Sequence, residues 1–329
     1  MPIKSKRFLK RLISHIGVVF FAVAIWMLYV QLRKHSVTDI LDSITQIPTM
    51  DIVFALAACA AGYLVLSCYD FLALKYIGKK LEWWKWMLAG LLGFAISNNA
   101  GNAAISGGAI RYRLYTRWRI RATEIVQMLT FSAVTYYLGA STVIAIGGMF
   151  LPKTGFADGG MMRFLFTACS AFLGAYYAVC LLLSGKKFSV GSATFKVPSI
   201  GTALSQFVVG TMDSIFAGLV LYFLARHVID ISIIEFIAIF VVAQAAGIFA
   251  QVPGGIGVFE SVVMLAMPDW VDGAALFGCL VAFRIIYFLL PLAGVGTTFF
   301  IYEHYLRQRM MKWRMFSIHL YGAAKQRKK

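Results

Sequence analysis

The chain has 329 residues, of which 60% are hydrophobic and only 14% are charged. Soluble domains usually carry about a quarter of charged residues to wet their surface, so this composition all but excludes an ordinary water-soluble enzyme. A net charge of +17 in so apolar a chain is typical of basic segments that face anionic lipid. The sequence therefore predicts an integral membrane protein.

Six apolar stretches are long enough to cross a bilayer, which takes about 20 residues. In chain order they are 13–32, 52–74, 123–150, 164–183, 200–224 and 274–302. Two further apolar stretches, 86–110 and 234–268, are interrupted by glycines and polar residues. We therefore predict an all-α polytopic membrane protein with about six full transmembrane helices and two broken or re-entrant elements, which is eight spans by conventional count.

Basic residues concentrate in a few connecting segments. Twenty-five of the 31 Lys and Arg lie in 1–12, 75–85, 111–121, 184–199 and the tail after 303. The positive-inside rule places these segments, and with them both termini, in the cytoplasm. We accordingly divide the chain into a basic cytoplasmic N-terminus (1–12), a single membrane domain (13–302) and a basic cytoplasmic tail (303–329).

The same rule sets the path of the two interrupted stretches. If 86–110 crossed the membrane once, the five arginines of 111–121 would lie outside. A re-entrant hairpin that enters from the cytoplasm and returns removes this conflict. By the same count 234–268 begins and ends on the outer side, so it forms either two short crossing helices or a hairpin that enters from the outer face.

Both interrupted stretches combine amide side chains, small residues and a glycine pair. The residues concerned are Asn98, Asn99, Asn102, Gly107 and Gly108 in the first, and Pro253, Gly254, Gly255 and Glu260 in the second. Paired broken segments in the two halves of a membrane protein point to a transport site. A glycine turn exposes backbone amides, and a helix that begins after it suits a phosphate. The similarity suggests an inverted repeat; the alternative is that the glycines only permit close helix packing.

Four ionisable residues lie within or at the edge of apolar spans: Asp70, Asp213, Glu260 and Arg284. Each costs about 2.5–3.5 kcal/mol to insert at the bilayer centre, so such residues usually face a bundle interior or a cavity and have a partner there. Asp70 lies close to the cytoplasmic end of its span, and its alternative is to reach the interface near Lys75.

Arg111 and Arg113 follow the first glycine pair and are the natural phosphate ligands, because arginine makes two parallel hydrogen bonds to a phosphate. The competing interpretation is that topology alone demands an arginine-rich cytoplasmic loop here. No P-loop, GxSxG or HExxH motif is present, and the five cysteines show no metal spacing. We expect no enzymatic activity, no metal and no cofactor.

The segments SGGAIRYRLY (106–115) and VPGGIGVFE (252–260), with Asp70 near the end of the second span, carry a family resemblance. Over roughly residues 10–305 the chain resembles the lysylphosphatidylglycerol synthase transmembrane-region family, which includes the flippase portion of the multiple-peptide-resistance factor MprF. The resemblance implies a bacterial inner-membrane protein that handles lipids, with Asp70, Arg111, Arg113 and Glu260 at the motif positions. MprF continues into a soluble aminoacyl-transferase domain; this chain ends at Lys329, so we do not expect the synthase activity here.

These observations lead to one functional hypothesis and two alternatives. The hypothesis is a lipid translocase that binds a phospholipid headgroup in a polar cavity between the two broken elements. The candidate binding residues are Asp70, Asn98, Asn99, Asn102, Gly107, Gly108, Arg111, Arg113, Asp213, Pro253, Gly254, Gly255, Glu260 and Arg284. The alternatives are a secondary transporter of a small anionic or zwitterionic solute and a non-transporting partner of a lipid-modifying enzyme. The expected partners are phospholipids with an anionic or aminoacylated headgroup; such an enzyme and a second copy of the chain are further candidates, and nucleic acid is not expected.

Overall fold

A computed structural model describes residues 37–100, 103–149, 160–191, 193–250, 252–268, 270–302 and 304. The basic N-terminus, the predicted span 13–32, Asn102 and the tail from residue 305 lie outside the described residues.

Ten helices and one short hairpin of strands make up the described part of the chain. The helices are α1 Val37–Thr45, α2 Thr49–Tyr76, α3 Trp83–Ala100, α4 Ala103–Arg117, α5 Ala122–Gly147, α6 Gly160–Leu183, α7 Ile200–Ala225, α8 Ile233–Phe249, α9 Val258–Ala266 and α10, which starts as Gly273–Phe283. Helix α10 continues through a π-helical segment, Arg284–Leu289, as far as Tyr302. The strands are β1 Lys187–Val190 and β2 Ala193–Lys196, paired antiparallel.

The all-α polytopic membrane fold is confirmed. Five helices, α2, α5, α6, α7 and α10, are long and apolar enough to cross a membrane. Helix α2, with 28 residues, rises about 42 Å at 1.5 Å per residue, which exceeds a hydrocarbon layer of about 30 Å. These helices match five of the six predicted spans to within a few residues, because the apolar runs end at polar caps such as Ser199 and Asp272.

Two short elements were not predicted from the sequence. Helix α1 lies in the connection before the second predicted span, and the β-hairpin lies in the basic segment 184–199. Gly191, with φ of 62°, provides the left-handed residue of the hairpin turn. The hairpin is fixed to the end of α2, because the Tyr76 hydroxyl donates to the Lys196 carbonyl (2.7 Å) and accepts from its amide (2.9 Å).

Helices α3 and α4 form one antiparallel hairpin, and α8 and α9 form another. The first opens at the end of the bundle where Trp84, at the start of α3, meets Trp118 just after α4, with ring centroids 6.1 Å apart. The second opens at the opposite end, where Phe236 of α8 lies 5.7 Å from Tyr222 near the end of α7. Opposite entry is the arrangement that an inverted repeat would produce.

The tips of the two hairpins meet inside the protein. A Cβ built on Gly254 would lie 3.5 Å from the carbonyl oxygen of Asn98, so the two backbones are nearly in contact. Helix α9 has only nine residues, which rise about 14 Å and fall well short of a bilayer. The geometry of 234–268 therefore favours the hairpin interpretation over two crossing helices.

Candidate functional site

The first acid–arginine pair joins α2 to α4 and is sealed inside the protein. Arg111 donates to both carboxylate oxygens of Asp70, with Nε at 3.0 and 3.1 Å and Nη2 at 2.8 Å. The Tyr115 hydroxyl donates to the same carboxylate at 2.8 Å, and the Phe94 ring lies 4.3 Å from the guanidinium carbon. The side chains of Arg111 and Asp70 are 6% and 1% exposed. Asp70 therefore does not reach the interface near Lys75.

The glycine pair of the first hairpin does not form a turn. Gly107 and Gly108 lie within α4, four and five residues after its first residue, so the expectation that a helix begins after them is wrong. Gly107 instead permits close packing, because a Cβ there would collide with the Ser97 side chain and the Gly93 carbonyl. The alternative of packing glycines is the correct one for this segment.

The glycines of the second hairpin do form a turn. Gly254, Gly255 and Gly257 have φ of 60°, 64° and 83°, a region that other residues rarely adopt. Helix α9 follows immediately, and Glu260 in its first turn accepts a 2.7 Å hydrogen bond from the Gly257 amide. Pro253 begins the 3₁₀ turn that leads into these glycines. The predicted turn before Glu260 is confirmed.

A second acid–arginine pair fixes this turn to α10. Arg284, the first residue of the π-helical segment, donates from Nε to Glu260 Oε1 at 2.7 Å and from Nη1 to the Gly254 carbonyl. The Phe259 and Phe288 rings lie 5.5 and 4.7 Å from the guanidinium carbon. The side chains of Arg284 and Glu260 are 17% and 9% exposed, so this pair is more open than the first.

Side chains of other helices hold the π-helical segment. Three successive carbonyls accept their hydrogen bonds: Ile286 from Cys59 Sγ (3.3 Å), Tyr287 from the Tyr63 hydroxyl (3.0 Å) and Phe288 from Asn99 Nδ2 (3.1 Å). Asn99 also donates to the Ala95 carbonyl at 2.8 Å. Helices α2 and α3 thus supply donors to the irregular backbone of α10. π-helical turns of this kind occur frequently at functional sites.

A cavity of about 290 Å³ lies where the hairpin tips meet α10. It is lined by Asn99, Gly254, Ile256, Glu260, Phe277, Leu280, Val281, Arg284, Phe288 and Leu289. Ile256 and Leu289 are 48% and 54% exposed, so one wall of the cavity lies at the surface of the protein. The cavity combines an arginine, a carboxylate, an amide and a backbone carbonyl with a largely apolar lining.

The structure distributes the predicted site residues over several places. Four of them line the cavity: Asn99, Gly254, Glu260 and Arg284. Asn98 and Gly255 lie beside the Gly254 turn.

The other predicted site residues lie outside the cavity. Asp70 is paired with Arg111. Asp213 is buried on α7 and accepts a 2.8 Å hydrogen bond from Tyr69. Arg113 is exposed, with its guanidinium carbon 5.7 Å from the Phe299 ring.

Sequence reasoning missed the aromatic residues around the charges. Tyr115 lies four residues after Arg111, and Phe288 lies four residues after Arg284, a spacing that brings side chains onto one helical face. Tyr69, the hydrogen-bond donor to Asp213, is not indicated by any motif or spacing in the sequence. Within the described ranges, no group of three or more His, Cys, Asp and Glu side chains is placed to hold a metal ion.

Comparisons with known proteins identify the family of this chain. The family described as lysylphosphatidylglycerol synthase TM region matches residues 14–294. The uncharacterized protein slr0712 of Synechocystis is 32% identical over 310 residues, covering 90% of this chain and 94% of its own length. The inner membrane protein YbhN of Escherichia coli is 24% identical over 279 residues, covering 83% and 87%.

A phosphatidylglycerol lysyltransferase of Staphylococcus aureus is 23% identical over 295 residues. That match covers 88% of this chain but only 34% of the lysyltransferase, so it concerns one part of a larger protein. The family match over most of the chain, the two relatives covered nearly end to end and the helical membrane fold lead to one conclusion. This chain is a multi-pass membrane protein that belongs to the lysylphosphatidylglycerol synthase transmembrane-region family.

Proposed function

We propose that this protein binds the headgroup of a phospholipid in the cavity between the hairpin tips and moves it from one leaflet to the other. The observation that carries the proposal is the position of Arg284, whose guanidinium lines the cavity beside Glu260, Asn99 and the Gly254 carbonyl. The family match supports it, because this family is named for phospholipid-related membrane proteins.

Arg284 is the phosphate ligand in this proposal. Its Nη2 lies 2.6 Å from Glu260 Oε1 but is not aligned for a hydrogen bond, and it has no other partner among the described residues. This donor is buried against Glu260, so a phosphate takes the place of the carboxylate at the guanidinium, and arginine binds phosphate oxygens through two parallel hydrogen bonds. Arg111, the ligand favoured by sequence, has its donors directed at Asp70 in a sealed site.

The size and lining of the cavity suit a headgroup rather than a whole lipid. A volume of about 290 Å³ lies at the lower end of small-molecule sites, which run from about 300 to 1,000 Å³. The two acyl chains of a phospholipid do not fit in this space. The exposed wall at Ile256 and Leu289 lets the acyl chains remain in the bilayer while the headgroup occupies the polar end.

The test uses purified protein in vesicles of phosphatidylcholine and phosphatidylglycerol with a trace of phosphatidylglycerol fluorescently labelled on its acyl chain. Dithionite bleaches the label only in the outer leaflet, so the bleached fraction reports leaflet transfer. Arg284→Gln removes the charge that holds the phosphate, and losing a charge-assisted hydrogen bond of about 1.5–3 kcal/mol slows transfer roughly tenfold or more. Arg226→Gln is the matched control, because Arg226 pairs with Asp51 outside the cavity.

Unchanged transfer by Arg284→Gln would contradict the assignment of the phosphate ligand. Absence of lipid transfer in the unmodified protein, together with uptake of radiolabelled glycerol phosphate, would favour the secondary transporter. Absence of both would favour a non-transporting partner of a lipid-modifying enzyme.

A further inference from the structure

One buried carboxylate differs from all the others in the described part of the chain. The buried acidic residues there are Asp51, Asp70, Asp213 and Glu260. Three of them pair with an arginine: Asp51 with Arg226, Asp70 with Arg111 and Glu260 with Arg284. Asp213, which is 5% exposed, has no basic side chain within ion-pair distance among the described residues. It lies near the middle of α7, an apolar helix of 26 residues.

The titratable groups that face Asp213 are tyrosines. Tyr69 of α2 donates to its Oδ2 at 2.8 Å. Tyr63 of α2, Tyr136 of α5 and Tyr287 of α10 lie close enough to interact with it electrostatically. From α8 the facing group is the uncharged amide of Gln244, which accepts a 3.2 Å hydrogen bond from Tyr136.

Behind the tyrosines lies one thiol, that of Cys59, which is close to Tyr63 and Tyr287. Tyrosine and cysteine are neutral at physiological pH, so none of these groups supplies a positive charge. An isolated carboxylate without a counter-charge in an apolar interior is costly, and the ordinary way to remove that cost is to take up a proton.

Tyrosines next to Asp213 also contact the elements that form the cavity. The Tyr69 ring packs against Phe94 of α3 with centroids 5.3 Å apart. Tyr63 lies next to the Asn98 side chain at the tip of the first hairpin and donates to the Tyr287 carbonyl in α10. These contacts connect the carboxylate, through two tyrosines, to the first hairpin and to the π-helical segment.

We propose that Asp213 is a proton-binding site that couples proton uptake to the movement of the headgroup; the coupling rests on the proposed function, whereas the binding of the proton does not. One proton from water adds to a carboxylate oxygen to give the neutral acid and returns to water later in the cycle. Only an O–H bond forms and breaks. As a carboxylate Asp213 only accepts from Tyr69, and as an acid it also donates, so each state favours a different hydrogen-bond arrangement around the tips.

The binding of the proton is tested by infrared difference spectroscopy on the full chain in lipid nanodiscs, titrated from alkaline to acidic pH. A carboxylic-acid C=O band is expected in the unmodified protein and is expected to be lost in Asp213→Asn. Asp51→Asn is the matched control, because Asp51 is a buried carboxylate that pairs with Arg226, and its loss is expected to leave the band unchanged. Tyr69→Phe, which keeps the acid but removes its donor, is expected to move the band to higher frequency.

Two outcomes would overturn the proton site. The first is an identical spectrum in Asp213→Asn and the unmodified protein, which shows that Asp213 stays ionised. The second is a band that sodium ions abolish at constant pH, which shows that the carboxylate binds a metal cation instead. Thermal unfolding of each variant identifies any that fails to fold, and Tyr69→Phe keeps the test open if Asp213→Asn is one of these.

The coupling is tested in the vesicle assay with a pH difference across the membrane. Lipid transfer by the unmodified protein is expected to change with the size of the gradient, and transfer by Asp213→Asn is expected to be independent of it. Transfer by Asp213→Asn that still follows the gradient would overturn the coupling while leaving lipid transfer established. A normal infrared band without any lipid transfer would contradict the proposed function and leave the proton site in place.

Discussion

Each hairpin contributes one member of an acid–arginine pair, and the two pairs lie in opposite settings. In the first, Asp70 and Arg111 are 1% and 6% exposed, and a tyrosine adds a further hydrogen bond to the carboxylate. In the second, Glu260 and Arg284 are 9% and 17% exposed and line a cavity. An intramembrane acid–arginine pair thus holds helices together when its donors are directed at its own partner, and it becomes a candidate binding site when a cavity adjoins it.

The glycines produce this difference. In the first hairpin Gly107 lies inside a helix and lets α3 and α4 approach so closely that Arg111 passes against Gly93, where a Cβ would lie 2.6 Å from its guanidinium carbon. In the second hairpin Gly254 adopts a positive φ and directs its carbonyl to Arg284. The first glycine motif allows two helices to pack closely, and the second forms a turn that lines the cavity.

Breaking the sealed pair is expected to cost the most stability. Asp70→Asn leaves Arg111 buried without its counter-charge, which costs about 3–5 kcal/mol of unfolding free energy. Denaturant unfolding in a mild detergent measures this loss. The double variant Asp70→Asn/Arg111→Gln is expected to recover part of it, because no unpaired charge remains. A loss below about 1 kcal/mol, typical of exposed pairs, would show that the first pair is as open as the second.

An intermediate effect is expected where the first hairpin packs most tightly. Gly107→Ala places a methyl group against Ser97 and the Gly93 backbone, and overpacking of this kind costs about 1–3 kcal/mol. Gly108→Ala is the matched control, since the nearest atom to its added Cβ is the end of the flexible Leu129 side chain at 3.3 Å. Equal thermal stability of the two variants would contradict close packing at Gly107.

The smallest effect on stability is expected at the second pair. In Glu260→Gln the amide oxygen still accepts from the Gly257 amide, and Arg284 is more exposed than Arg111, so the expected cost is about 1 kcal/mol. The same variant is expected to alter lipid transfer strongly, because the cavity gains a net positive charge. Parallel unfolding and vesicle assays measure both. A stability loss as large as that of Asp70→Asn would remove the distinction between the two pairs.

Much of the helical framework could be predicted from the sequence. Apolar runs bounded by polar caps predict α2, α5 and α7 closely, since the bilayer fixes their length. Asp70, Asp213, Glu260 and Arg284 were also predictable, because each is a charged residue within or at the edge of an apolar span. The turn of the second hairpin was also predictable, because Pro253 disfavours helix at the preceding residue and glycines follow it.

The pairing of the charges was not predictable. Asp70 and Arg111 lie on different helices, and their contact depends on how closely α3 and α4 pack. Ser-Gly-Gly at 106–108 lacks the proline that precedes the glycines of the second motif. Without a proline, two glycines are compatible with either a helix or a turn, so the sequence does not decide between them. The cavity wall at Leu289 depends on the π-helical segment, which no periodicity in the apolar run of α10 shows.

The wide turn of α10 is held by donors that belong to other helices. Cys59, Tyr63 and Asn99 each donate to one of its three consecutive carbonyls, so its irregularity is a tertiary product rather than a local preference. A synthetic peptide of α10 alone in a bilayer lacks these donors and is expected to relax to regular α-helical hydrogen bonding. Since one inserted residue rotates everything beyond it by about 100°, such a peptide presents Arg284 and Leu289 on altered relative faces. The Leu289 wall of the cavity therefore forms only when the bundle assembles.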